Sequence, residues 1–198
     1  MLPAHVYHAQ MPTNTLNALH GRRSIRQFTN RDVSHADVET LLDAAVAAPN
    51  HRLTQPWRFY VLGALSRHAY GLALGNRKAK KIVDPVAADT IRNKVAEEHA
   101  ALPLMIVVAM VEDANPEIRE EDVAATMMAI QNLSLAAVAI GLGTHIKTGA
   151  IMQDPAARAA AGVRDGERIM AVLNVGEPAN VPPAKERKSA ASLTTWVP

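Results

Sequence analysis

Apolar positions in this chain recur with two periods, and the switches between them mark its elements. Val38, Leu41, Leu42 and Ala45 follow helical spacing. Ser34 precedes them with Asp37 three residues on, a capping-box arrangement, and Pro49 closes the run. Leu16 and Leu19 predict a short helix over about 15–20. Residues 57–62, WRFYVL, are aromatic and β-branched and predict a strand. Helical stretches are expected over about 64–75 and 88–100. Residues 104–111, LMIVVAMV, are nearly all apolar, as a strand covered on both faces would be.

The longest helix is expected over about 117–140. Glu117, Glu120, Glu121 and Asp122 suit the positive end of its dipole, and Gly141 suits its C-terminus. Its apolar residues run round most of its girth, which predicts burial on several sides, partly by another subunit. A short segment to Gly149 is left without an assigned element. Asp154-Pro155 reads as a cap and first-turn proline of a helix that Gly162 closes. Residues 168–175, RIMAVLNV, predict a third strand, and Gly176-Glu177-Pro178 turns the chain into a basic, proline-containing tail. Helices outnumber strands and two strands read as buried, so an α+β or α/β sandwich with helices on the sheet is expected. There is no internal repeat and no interdomain linker. Residues 1–198 are expected to form one domain, with 1–13 as an arm and 179–198 as an extension.

Composition narrows the chemistry. With 21 basic and 19 acidic side chains the net charge is +2, too small to argue for nucleic acid. The basic stretch Arg77-Lys78-Ala79-Lys80-Lys81 has no aromatic platform beside it and reads as a solvated face. The absence of cysteine excludes disulfides, thiolate metal sites and thiol catalysis. The eight histidines are scattered without metal-ligand spacing, so no metal site is expected. No export signal is visible at the start. The apolar run 102–111 is only about half the length of a membrane helix, so a cytoplasmic location without membrane contact is expected.

Four segments offer chemistry. Arg22-Arg23-Ser24-Ile25-Arg26 places three guanidinium groups and a hydroxyl within five residues, either forked donors for a phosphate or a solvated turn. In Pro49-Asn50-His51-Arg52-Leu53-Thr54-Gln55-Pro56-Trp57, the side chains of Asn50, His51 and Gln55 offer donors and acceptors for the edge of a planar heterocycle. Trp57 reads as an aromatic wall or as plain core. Gly141-Leu142-Gly143, followed by residues 144–149, is either a cap and turn or a stretch presenting backbone N–H groups. Lys185 and Arg187 matter only if the tail folds back to the first segment.

In this order the four segments resemble the nitroreductase family over most of the chain. They match its R-R-S-x-R pattern, its A-P-…-Q-P-W loop, its long helix ending in G-L-G, its G-x-P turn and its basic tail. The resemblance implies a three-layer α+β sandwich with a central, mostly antiparallel sheet, an intertwined homodimer, and FMN at the subunit interface. It implies that Arg22, Arg23, Ser24 and Arg26 hold the phosphate and part of the ring. Pro49, Asn50, His51 and Gln55 would line the ring from the other subunit. Ile146, Lys147, Thr148 and Gly149 would lie beside its reactive edge, and Arg187 of the tail would reach the phosphate. Lys147 is a candidate for stabilising the anionic reduced flavin. The implied activity is hydride transfer from NADH or NADPH through FMN to a nitroaromatic, quinone or other electron-poor small molecule, in ping-pong fashion. No side chain is assigned as catalytic. Leu53 stands where the family has asparagine. Asn50-His51 and the short chain resemble the small YdjA-like branch. Another flavin reaction, such as reductive dehalogenation or flavin breakdown, and a non-catalytic flavin-binding role are the alternatives.

Overall fold

The computed structural model describes residues 15–198, so the arm expected over 1–13 lies outside the described residues. The chain opens with α1 (Thr15–Gly21) and α2 (His35–Val46). Ser34 caps α2 as expected: its hydroxyl accepts from the Asp37 N–H, and the Asp37 carboxylate accepts from the Ser34 N–H. Strand β1 (Trp57–Val61) is followed by α3 (Ala64–Ala79) and α4 (Pro85–Ala100). Both helices are longer than their apolar spacing predicts. Helix α3 runs on through Arg77 and Lys78, and α4 starts at Pro85 because the Asp84 carboxylate accepts from the N–H groups of Val86 and Ala87.

Strand β2 (Leu104–Val111) leads into α5 (Pro116–Ala139), which Asn115 caps. Gly141, at φ 79°, takes the left-handed turn after it. The segment left unassigned in the sequence contains a strand, β3 (Gly143–Lys147). Helix α6 (Pro155–Ala161) has the expected Asp154 cap and closes on Gly162 at φ 72°. Strand β4 (Glu167–Gly176) completes the sheet, whose order is β1-β2-β4-β3 with every neighbouring pair antiparallel.

The sheet is the middle of three layers. Leu104, Ile106 and Val108 of β2 pack with Leu41 and Ala45 of α2 and with Ala129, Ile130 and Leu133 of α5. Met105 and Val107 turn the other way, against Tyr70 and Ala73 of α3 and Ala157 and Ala161 of α6. That is why β2 has no polar alternation. Helix α5 is long and apolar enough to span a membrane, but its buried face is part of this core. Met127 and Met128 on its outer side are exposed.

Candidate functional site

The basic segment is fastened to the outer edge of β3. Ser24 forms a parallel bridge with Thr144, and the Ile25 N–H donates to the Thr144 carbonyl at 2.9 Å. Ile25 is buried while Ser24 and Arg26 are exposed, so hydroxyl and guanidinium stand on the surface beside β3. Gly143 permits this approach: a Cβ there would stand 2.4 Å from Ile25 Cγ1. The turn after β4 holds the other end of the segment. Thr29 donates its hydroxyl to Glu177 at 2.6 Å, Arg31 pairs with Glu177 at 3.4 Å, and Phe28 bridges to Pro178.

The arginines divide by role. Arg23 donates to the carbonyls of His20 (2.7 Å) and Arg22 (3.0 Å), so it seals the end of α1, a use that the phosphate reading of this residue did not foresee. The guanidinium groups of Arg22 and Arg26 enter no ion pair among the described residues, and neither do Lys78 and Lys147. Burial pushes the half-buried Lys147 amine down to about 8, and the Lys78 charge acts in the same direction. Burial also lowers His145, helped by Lys147 and then Arg26, which places these cations in one electrostatic neighbourhood. Past Thr144 the outer edge of β3 has no bridging neighbour among the described residues. Ile146 is half-buried, Thr148 and Gly149 are exposed, and Gly149 takes φ 135° and ψ −177°, a conformation open in practice only to glycine.

The 50–55 loop is elsewhere. It docks on the N-terminal half of α5: His51 on Glu121 at 3.1 Å, Arg52 on Glu121 at 2.8 Å and on Glu117 at 3.1 Å, and Thr54 on the buried Asp122. Asn50 is engaged within its own loop: its amide oxygen accepts from the Gln55 N–H at 2.7 Å and its amide nitrogen donates to Thr54 at 3.1 Å. Pro49 and Gln55 are exposed. Leu53 and Gln55 hold φ of 50° and 44°, so two side-chain-bearing residues are kept left-handed in one short loop. Trp57 is core, not an aromatic wall; it is buried with Leu41, Ala45 and Ile130. It opens β1, at the opposite sheet edge from β3. Three strand spacings, about 14 Å, therefore separate the two edges. One chain thus brings together the basic segment and the 144–149 segment, but not the 50–55 loop.

The tail returns only at its start. Ala179 donates to the Gln27 carbonyl, and Val181 lines a small groove with Gly21, Arg23 and Ile25. Lys185 and Arg187 are exposed, and no hydrogen bond or ion pair ties them to the other described residues. A surface cleft of about 400 Å³ opens between β1, α3 and α6. Its only titratable lining group is Tyr60, already bonded to Glu167, so it has none of the charge of the β3 edge. The sequence reading missed His99 of α4, buried and within 3.3 Å of the Lys147 amine. No local pattern separates it from seven other histidines.

The fold recurs in known proteins. The nitroreductase family profile matches residues 19–177. A Bacillus subtilis (strain 168) protein, YfhC, named provisionally as an NAD(P)H nitroreductase, is 34% identical over 172 residues, 85% of this chain and 87% of its own length. YdjA of Escherichia coli (strain K12), named in the same provisional way, is 30% identical over 165 residues, 83% of this chain and 88% of its own. The crystal structure of a nitroreductase-like family protein from Bacillus cereus superposes with a TM-score of 0.81 at 29% identity, covering 96% of this chain and 98% of that one. A Desulfovibrio desulfuricans protein described as a nitroreductase, solved in complex with FMN, gives 0.69 at 27% identity over 96% and 99%. The basic segment, the β3 edge and the G-x-P turn all lie within the matched span or at its border, and the chain belongs to the nitroreductase family.

Proposed function

We propose that the chain is an FMN-dependent NAD(P)H oxidoreductase acting as a homodimer on a nitroaromatic, quinone or other electron-poor small molecule. The observation that carries this reading is the bridge between Ser24 and Thr144, which sets Arg22 and Arg26, neither in an ion pair among the described residues, beside the open edge of the strand that carries the half-buried Lys147. That donor set fits FMN: forked guanidinium groups and a hydroxyl suit a phosphate, and free backbone N–H groups with a nearby cation suit the polar edge of a flavin.

Arg22, Ser24 and Arg26 would hold the phosphate and the adjoining part of the ring, Arg23 would hold the segment's shape, and Arg187 would close over the phosphate from the tail. Ile146, Lys147, Thr148 and Gly149 would line the reactive edge, with the Lys147 ammonium favouring negative charge there. The chemistry supplied by bound FMN is hydride exchange, in which NADH or NADPH gives a hydride and leaves before the acceptor takes it. Pro49, His51 and Gln55 stand on the far sheet edge of their own chain, so they would serve the site of a second copy. Asn50 would act by keeping that loop in shape.

The test is the visible spectrum of the purified protein before and after anaerobic NADH or NADPH, together with its sedimentation. Flavin bands that bleach, on a dimer holding two FMN, are expected. Colourless protein that takes up no added FMN, or a monomer with stoichiometric FMN, would overturn the reading.

A further inference from the structure

Helices α3 and α4 pack so closely that their backbones touch. A Cβ on Gly71 would lie 2.8 Å from Ala96 Cα, His99 Cβ and the Val95 carbonyl oxygen, and one on Gly75 would lie 2.8 Å from Arg92 Cα. This contact lodges His99 in the layer beneath the sheet, where it is 7% exposed. The imidazole Nδ1 lies 2.8 Å from the Val95 carbonyl oxygen, which can only accept, so Nδ1 carries the proton. In the neutral ring Nε2 is then an acceptor, and it stands 3.3 Å from the Lys147 amine.

We propose that His99 is a positioning residue for Lys147: a neutral imidazole with its tautomer set by Val95 accepts a hydrogen bond from the ammonium and holds that cation at the flavin edge. The second half of this statement rests on the flavin reading above. The surroundings explain why such an acceptor is needed. Lys78 faces the pair from α3 and Glu98 from α4, while His145 lies beside Lys147 on β3 with Arg26 next to it. Glu98 is the only acid in that set, and it is the weakest influence on His99. A half-buried ammonium among cations would otherwise lose its proton or swing out to water. Burial and the Lys147 charge both lower the proton affinity of His99, which keeps it the acceptor.

Competitive acetylation with acetic anhydride, read by mass spectrometry across pH, follows the Lys147 amine in the protein as purified. His99→Met is expected to move the half-point of Lys147 labelling down by about one pH unit. His99→Gln, which retains an accepting oxygen, should restore most of the shift. An unchanged profile in His99→Met overturns the hydrogen-bond half, whether or not the protein binds flavin. Should His99→Met fail to fold, Lys147→Met reads the pair from the other side: loss of the neighbouring charge should make the His99 imidazole easier to protonate by NMR titration, and no change overturns the pairing. For the flavin half, the midpoint potential of bound FMN should fall in both His99→Met and Lys147→Met and recover in His99→Gln. A potential unmoved by all three removes the pair from the flavin edge while leaving the flavin reading itself intact.

Discussion

The Ile25 N–H and the Thr144 carbonyl oxygen stand 2.9 Å apart, and this single backbone bond, beside the Ser24–Thr144 bridge, joins the two segments of the candidate site. Each was ambiguous alone. A run of arginines is usually a solvated turn, and a G-L-G is usually a helix end. Side by side on a strand edge, they set side-chain cations next to unpaired backbone groups, the combination that the proposed FMN site would use.

Removing one of those cations should weaken the cofactor without unfolding the protein. Arg22→Ala is expected to cost about 1.5–3 kcal/mol in FMN affinity, roughly ten- to a hundredfold, for each charge-assisted bond lost. Equilibrium dialysis against FMN checks this, and an unchanged dissociation constant would remove Arg22 from the site.

Gly143→Ala should act on the junction itself. Its Cβ would meet Ile25 Cγ1 at 2.4 Å and Ile25 Cβ at 3.0 Å, so the basic segment must move away from β3. A stability loss of about 1–3 kcal/mol is expected in urea denaturation, with weaker FMN binding in the fraction that folds. Full stability and full affinity in this variant would show that the segment does not need its close seat.

The 50–55 loop should gain from glycine. Leu53 is 75% exposed and kept at φ 50°, so its side chain contributes little packing while its backbone is strained. Leu53→Gly is expected to raise stability by a few tenths to about 1 kcal/mol, the relief of left-handed strain less the added freedom of the unfolded chain. A lowered melting temperature would mean that Leu53 packs on something beyond its own chain.

Lys147 and Tyr70 should give the stability curve opposite slopes in two alkaline windows. The Lys147 amine is lowered from 10.5 to about 8, so between those values the unfolded chain binds the extra proton and stability rises with pH. The buried Tyr70 hydroxyl is raised from 10 to about 12, so its contribution is fully present below 10 and is lost as pH rises toward 12. Urea midpoints for the wild type, Lys147→Met and Tyr70→Phe across pH 7.5–11.5 separate the two. A wild-type curve parallel to that of Lys147→Met between pH 8 and 10.5 would contradict the first assignment.

Local chemistry made much of the fold readable. The Ser34 cap, the Asp154-Pro155 start and the glycines after α5 and α6 act within one turn of chain, and the structure has them where the sequence places them. Strand β3 was not readable, because GTHIK has no apolar alternation and is a strand through its pairing with β4. Arg77 and Lys78 joined α3 for a similar reason: apolar spacing fades there, yet the helix continues across the α4 surface. The use of Arg23 as a helix seal and of Asn50 as a loop clasp also escaped the sequence, since both side chains suit a ligand equally well.

Taken by itself, the sequence determined the helical spacing of α2 and α5, the three apolar strands, the caps at Ser34 and Asp154, the absence of thiol chemistry and a set of candidate residues for a phosphate. Those properties follow from neighbours within a few positions. Only the tertiary structure decided that the 22–26 segment lies along β3 with Arg26 near His145 and Lys147, that the 50–55 loop stands at the other edge of the sheet, and that His99 lies under the Lys147 amine. Each of these depends on contacts between segments far apart in the chain. Such contacts are set by the strand order β1-β2-β4-β3 and by the close packing of α3 on α4, which no local pattern encodes.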